Sequence, residues 1–93
     1  MKIEVSKDAM KQRIERSAKE AIEEIKTNAS MGIDKTELFI DKDISSDVKK
    51  ILLQEVDGII FTIVRKAPNP TTGRIDCFSG ETVGNKMRYV VKI

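Results

Sequence analysis

The chain has 93 residues, of which 40% are hydrophobic and 34% are charged, with one cysteine, no histidine and a formal net charge of +2. These values are typical of a single soluble globular domain, and they exclude an intrachain disulfide, the usual zinc sites and chemistry that depends on histidine. No apolar run approaches the ~20 residues of a membrane span, and no secretory leader is evident. We therefore expect a cytoplasmic protein that does not enter membranes.

The first predicted element is a long amphipathic helix from Lys7 to about Ser30. Ser6 is its expected N-cap, Asp8 lies in its first turn, and Gly32 is expected to end it. Its apolar residues recur at steps of three and four, which mark one face of a helix: Met10, Ile14, Ala18, Ala21, Ile22, Ile25 and Ala29. Residues 1–5 alternate in polarity and form either a short strand or an extended lead-in.

A strand and a second helix follow. Residues 36–40 alternate as a strand does, with Leu38 and Ile40 on one side and Phe39 on the other. Residues 41–43 are expected to turn the chain into a helix that Ser45 or Ser46 caps. The apolar stripe of this helix comprises Val48, Ile51, Leu52 and Val56, and Gly58 ends it.

The last two strands are predicted at residues 59–64 and 88–93. The first is apolar on both faces, which favours a central place in the sheet. The second alternates cleanly, with Tyr89, Val91 and Ile93 on the inward side. We expect the two to pair as an antiparallel hairpin whose tip is the long stretch between them.

That stretch, residues 67–87, is the most informative feature of the chain. Connections beyond ~12–15 residues are uncommon unless they are functional or disordered, and this one spans 21 residues. It holds both prolines, three of the five glycines and the cysteine: Pro68, Pro70, Gly73, Gly80, Gly84 and Cys77. Residues 74–78 are a candidate for a short strand within it.

The predicted fold class is therefore α+β. One domain, residues 1–93, has a small, mostly antiparallel sheet of three to four strands with two helices packed on it. The order of elements is helix, strand, helix, strand, long loop and strand.

No residue set indicates catalysis or a cofactor, so we expect a binding protein rather than an enzyme. Asp34, Asp41 and Asp43 could hold a hard cation, but they lack the pattern of a calcium loop and are interpreted as turn-forming residues. Cys77 is interpreted as a small buried hydrophobe rather than a reactive thiolate. Glu81 with Arg74 forms either an ion pair in the loop or an acid–base pair.

Charge is unevenly distributed, and its distribution selects the candidate site. Residues 1–57 carry a net −2 and residues 58–93 a net +4, an asymmetry that suggests an anionic partner. The candidate site consists of cations and hydroxyls on or beside the long loop: Arg65, Lys66, Arg74, Lys86, Arg88, Thr71, Thr72 and Ser79.

Three interpretations of this site remain open: a protein interface, a phosphate-bearing, nucleotide-like ligand, and no specific role. Duplex nucleic acid is not expected, because the basic patch is small and Phe78 is the only aromatic residue in the loop. An exposed apolar patch at Ile60, Thr62 and Val64 would mark an interface, so we also expect a homo-oligomer.

The opening Met1-Lys2-Ile3, the capped helix after Ser6, the strand at 38–40 and the helix from Ile44 to Leu52 resemble small phage-encoded α+β accessory proteins. The resemblance covers residues 1 to about 66. It implies a protein made in an infected bacterium that blocks a host factor or sequesters a signalling molecule. We expect it to bind and inhibit a host or defence component, and the basic loop region, Arg65 to Arg88, to carry the contact. The alternative is a structural component of a virion or another assembly, with the loop as an arm between subunits.

Overall fold

The computed structural model describes residues Met1–Ile93 and contains two helices and six strands. In chain order these are α1 (Lys7–Ser30), β1 (Lys35–Asp41), α2 (Ser45–Glu55), β2 (Ile60–Phe61), β3 (Arg65–Pro68), β4 (Ile75–Phe78), β5 (Gly80–Val83) and β6 (Lys86–Lys92). Antiparallel pairing builds one sheet of four strands and one of two. The predicted α+β class is confirmed. Neither helix combines the length and the apolar character needed to cross a bilayer.

Helix α1 begins and ends where its sequence signals lie. The Ser6 hydroxyl accepts a hydrogen bond from the Ala9 amide at 3.2 Å, which satisfies one free donor of the first turn. At the other end Gly32 adopts a φ of 78°, and its amide bonds back to the helix at the Ala29 carbonyl. Residues 1–5, which precede the cap, have no regular structure and are exposed.

Helix α2 starts differently from the prediction. Its N-cap is Ile44, which supplies no side-chain hydrogen bond, and the Ser45 hydroxyl instead donates to the Lys42 carbonyl at 3.1 Å. The expectation that Ser45 or Ser46 caps this helix is therefore wrong. Ile44 is 0% exposed, and burial of its apolar side chain stabilises the helix start at this residue. The helix therefore begins without a hydrogen bond from a polar capping side chain.

Strand β6 lies at the centre of the larger sheet. β1 pairs along one side of it, and β2 and β5 share the other side end to end. Leu38 lies opposite Tyr89 in this register, and both face the helices. The core joins this sheet face to both helices and comprises Ala18, Ala21, Ile25, Leu38, Ile40, Ile44, Val48, Leu52, Tyr89 and Val91.

The prediction that residues 59–64 form a central strand is wrong. Only Ile60–Phe61 are paired as a strand, at the sheet edge, and Ile60 and Ile63 are more than half exposed. The antiparallel pairing with the last strand is correct for this short segment. Phe61 turns inward and meets Tyr89 edge to face, with ring centroids 5.6 Å apart.

Residues 67–87 form ordered strands rather than one long loop. β3 and β4 make one hairpin, and β5 and β6 make a second, whose turn contains Gly84 at a φ of 63°. The suggested short strand at 74–78 is present as β4. β5 returns the chain to the sheet edge that β2 leaves, so the β3–β4 hairpin is an insertion between two segments of one sheet edge.

The β3–β4 hairpin, residues 65–78, is called the arm from here on. It makes no extensive contact with any helix or with the larger sheet, and residues 71–78 are all exposed. The radius of gyration is 15.4 Å, against roughly 12 Å for a compact domain of this length. An isolated two-stranded hairpin is at best marginally stable in water, and the arm has few contacts with the rest of the domain to support it.

Candidate functional site

The turn at the tip of the arm is closed by its own hydrogen bonds. The Asn69 side-chain oxygen accepts from the amides of Thr71 and Thr72 at 2.9 and 3.4 Å, and the Asn69 carbonyl accepts from the Gly73 amide at 2.8 Å. The Arg74 amide donates to the Thr72 hydroxyl at 3.3 Å. Every amide from Thr71 to Arg74 thus has an acceptor within the turn, which leaves no row of free N–H groups to cradle a phosphate.

The arm carries three cations that form no ion pair within the chain, and one carboxylate, Asp76, which accepts a hydrogen bond from the Asn69 side chain at 3.2 Å. Arg65, Lys66 and Arg74 have no carboxylate oxygen within 4.0 Å. The Arg65 guanidinium lies 5.7 Å from the centroid of the Phe78 ring, a cation–π distance. These cations share the arm with exposed apolar groups, since Ile75 is 66% exposed and Phe78 42%.

Two other predicted site residues, Lys86 and Arg88, lie on the sheet face that the helices leave open. The Arg88 guanidinium bonds to Glu37 at 2.8 Å and to Glu81 at 2.7 Å, and both carboxylates hold the pKa of Arg88 above its ordinary value. Lys86 bonds to Asp41 at 2.9 Å. These cations already have partners, and Glu81 pairs with Arg88 rather than with Arg74.

Ser79 lies at the root of the arm, beneath α2. Its hydroxyl accepts a hydrogen bond from the ammonium group of Lys49 at 2.9 Å. The same ammonium lies 5.0 Å from the Phe61 ring and 5.9 Å from the Tyr89 ring. Lys49 therefore ties α2 to the point where the chain returns from the arm. Sequence analysis did not identify Lys49, because a lysine beside an apolar helix stripe is indistinguishable from a solvated one.

The carboxylates considered for a cation site bind side chains instead. Arg13 of α1 bonds to Asp43 at 2.9 Å and to Asp41 at 3.2 Å, and Lys92 lies 3.9 Å from Asp34. No group of three or more metal-ligating side chains is present. The two Arg13 ion pairs fasten α1 to the end of β1 and to the turn that follows it.

The ion pairs around Asp41 and Asp43 predict a pH-dependent stability. The ammonium of Lys86 and then the guanidinium of Arg13 lower the pKa of Asp41, and Arg13 lowers the pKa of Asp43. Because these pKa values are lower in the folded state, the stabilisation is present above about pH 4 and is lost as pH falls through the folded-state values. Urea denaturation should show wild type more stable than D41N/D43N at neutral pH, with the difference vanishing in acid.

The matched control for this series is D57N. Asp57 is exposed and has no ion-pair partner within 4.0 Å, so its replacement should leave the pH dependence unchanged. A difference in the free energy of unfolding between wild type and D41N/D43N that stays constant down to about pH 2 would contradict the stabilising role of these ion pairs.

Two further expectations are corrected by the structure. Cys77 is exposed rather than buried, because it lies on the arm, which no other element covers. The apolar patch expected at Ile60, Thr62 and Val64 does not form as a unit. Ile60 is exposed, but Thr62 and Val64 are half-buried, and the Thr62 hydroxyl donates to the Val90 carbonyl at 2.8 Å.

The structure thus divides the eight predicted site residues among three places. The arm holds Arg65, Lys66, Thr71, Thr72 and Arg74; the open sheet face holds Lys86 and Arg88; and the root of the arm holds Ser79. Of these three places, only the arm combines cations without an ion pair with exposed apolar surface. Comparisons of this chain with protein-family models, with curated proteins and with solved structures give no match.

Proposed function

We propose that this protein is a non-enzymatic binding protein whose arm docks on an acidic surface of a protein partner. The observation that carries the proposal is the coincidence, on one protruding hairpin, of unpaired cations with exposed apolar side chains. Elsewhere on the sheet, Lys86 and Arg88 are neutralised within the chain. Cations beside aromatic and aliphatic groups are typical of protein interfaces.

A protein partner accounts for the arm better than a phosphate-bearing ligand does. Phosphate sites use convergent backbone amides, and those of the turn are bonded to Asn69 and Thr72. Arg65 and Lys66 are neighbours on one strand, so their side chains leave opposite faces of the hairpin. Cations that diverge in this way suit an extended surface rather than one small anion.

The cavity at the turn between β1 and α2 fits a role without catalysis. A cavity of about 500 Å³ is lined by Arg13, Asp41, Lys42, Asp43 and Asn85. Its carboxylates bond to Arg13 and Lys86, and it contains neither a nucleophilic side chain nor a free base. These groups maintain the fold.

The class of partner comes from the resemblance to phage accessory proteins rather than from the geometry. We propose that docking of the arm blocks a bacterial host or defence protein. The alternative role, a subunit of a larger assembly that holds its neighbour with the arm, uses the same exposed surface. The two roles differ in the identity of the molecule that the arm contacts.

Photo-cross-linking in a bacterial extract tests the proposal. A photoreactive amino acid at Lys66 should yield an adduct of discrete mass with a bacterial protein, and the same probe at Lys19 of α1 should not. For the charge variant the probe is moved to Cys77, because Lys66 is itself replaced. With this probe, the protein with wild-type charges should give the adduct and R65E/K66E/R74E should lose it, because reversed charges repel an acidic surface. Raising the salt concentration should lower the yield of adduct from the protein with wild-type charges.

The matched control is K2E/K7E/K50E, which changes net charge equally at exposed positions outside the arm and should keep the adduct. An adduct equally strong in both triple variants would contradict a role for the basic arm. Calorimetric binding of a nucleoside triphosphate that depends on Arg65 and Arg74 would favour the phosphate interpretation.

A further inference from the structure

The two outer edges of the arm differ in their capacity to accept another strand. The Asn69 amide donates to the Arg74 carbonyl at 2.7 Å, so Asn69 and Arg74 are a hydrogen-bonded pair. This pair establishes which of the following residue pairs in the β3–β4 ladder are hydrogen-bonded. Bonded and non-bonded pairs alternate in an antiparallel ladder, so the backbone groups of Ile75 and Cys77 point away from β3. On the other edge Pro68 has no N–H group, and such a proline discourages pairing. The edge of β4 is therefore the open one.

We infer that two copies of this chain associate by pairing their β4 edges about a twofold axis, with Ile75 opposite Ile75 of the second copy. The result is a four-stranded antiparallel sheet in the order β3–β4–β4–β3. A sheet of three or more strands with an apolar face is stable where a lone hairpin is marginal. The inference goes beyond the proposed function, because it concerns a second copy of this chain. It engages Arg74 and Ile75 and leaves Arg65 and Lys66 of β3 free for the proposed docking surface.

Charge complementarity selects this register. Only Ile75 and Cys77 direct their backbone N–H and C=O groups away from β3 and toward a second copy. Ile75 or Cys77 of one copy must therefore lie opposite Ile75 or Cys77 of the other. Placing Ile75 opposite Cys77 sets Asp76 against Asp76, and like charges directly opposite each other are destabilising. Placing Ile75 opposite Ile75 sets Arg74 opposite Asp76 of the second copy, twice by symmetry. Arg74 has no carboxylate partner in its own chain.

The same register also completes an apolar row. Pro68 lies opposite Ile75 within one arm, so the paired arms line up Pro68, Ile75, Ile75 and Pro68 across four strands. Ile75 is 66% exposed in the single chain and gains cover from its counterpart. Pairing Cys77 with Cys77 instead would set Asp76 opposite Phe78 and leave this row incomplete.

The expected association is weak and depends on concentration, because each chain contributes only about one short strand and interfaces below ~1,200 Å² are typically transient. Covalent trapping is therefore the appropriate measurement. Directly opposed residues that exchange hydrogen bonds have Cα atoms about 5.5 Å apart, within disulfide range. The Cys77 residues of the two copies would lie roughly 13 Å apart along the strands, too far to bridge.

The experiment compares three full-length proteins under mild oxidation: I75C/C77S, wild type with its native Cys77, and K19C/C77S as the exposed helix control. I75C/C77S should form a disulfide-linked dimer at least about tenfold faster than the other two, because only its thiols meet across the axis. Faster cross-linking of wild type would overturn the inference by showing the Cys77 register, and equal rates in all three would overturn it by showing random collision.

A charge exchange provides an independent measurement in the I75C/C77S background. Adding R74E places a carboxylate instead of a guanidinium opposite Asp76 of the second copy and should slow dimer formation severalfold, and R74E/D76R should restore it. Circular dichroism verifies that the scaffold remains folded. A rate of dimer formation that R74E leaves unchanged, or that R74E/D76R does not restore, would overturn the register.

Discussion

Replacing Leu52 by alanine is expected to lower the free energy of unfolding by about 2–5 kcal/mol, as removal of a fully buried leucine side chain does. Leu52 is 0% exposed and lies between the two helices and the sheet, in one core with Val48, Ile44 and Leu38. A chain of this length has a total stability of roughly 5–14 kcal/mol. L52A therefore removes a large part of the total, and urea denaturation monitored by circular dichroism measures it.

The neighbouring Leu53 provides the matched control. It is the next residue of the same helix and the same residue type, but its side chain is 53% exposed. L53A should change the free energy of unfolding by less than about 1 kcal/mol, because most of the removed surface was already in water. Similar losses for the two variants would contradict the orientation of α2 on the sheet.

Replacing Gly80 by alanine is expected to lower the free energy of unfolding by about 1–3 kcal/mol, the range found when a packed site is overfilled. A Cβ atom at Gly80 would lie 2.6 Å from the Tyr89 ring and 3.2 Å from the Met87 methyl group. Tyr89 cannot move away easily, since it is 5% exposed and is packed against Phe61. The glycine is needed for space at this position.

Tyrosine fluorescence reports this effect directly. Tyr89 is the only tyrosine and the chain has no tryptophan, so a changed emission in G80A locates the disturbance at that ring. Gly84 provides the contrast, because a Cβ there meets nothing within 4 Å, whereas its φ of 63° strains any residue with a side chain. G84A should therefore lower stability without changing the Tyr89 emission, and a G80A protein as stable as wild type would refute the close contact.

The core variants and the arm variants separate stability from binding. Leu52 and Gly80 act on the scaffold, whereas Arg65, Lys66 and Arg74 are exposed and make no ion pair within the chain. Charge reversals on the arm should therefore alter association while leaving the urea midpoint nearly unchanged. A binding defect in R65E/K66E/R74E can then be assigned to the contact surface rather than to unfolding.

Local sequence patterns were sufficient for the helices and for the fold class. The steps of three and four in α1, the Ser6 cap and the Gly32 stop are short-range features, since each depends on residues within one or two helical turns. The alternation in β1 placed Leu38 and Ile40 on one side of the strand, and both are buried. The alternation in β6 identified Tyr89 and Val91 correctly as inward-facing, but Ile93, predicted with them, is 44% exposed because the strand ends at Lys92. The apolar run at 59–64, which only Thr62 interrupts, was misleading, because periodicity does not distinguish a central strand from an edge strand.

The candidate site could be predicted only in part. Composition indicated that residues 65–88 are basic, but charge along the chain does not reveal which cations find a carboxylate in space. Arg88 meets Glu37 and Lys86 meets Asp41 across the β1–β6 pairing, contacts that join residues about half the chain apart. Lys49 and Ser79 meet in the same way, between a helix and a strand root.

The sequence by itself determined the two amphipathic helices, the antiparallel α+β class and the absence of residues for the usual histidine and zinc chemistry, because these depend on residue type and local spacing. The tertiary structure decided that β6 is the central strand, that residues 67–87 form two hairpins, and that the β3–β4 hairpin projects from the domain with its cations unpaired. Those features follow from which distant segments compete for the same sheet edge and the same carboxylates, and that competition is resolved only when the whole chain folds.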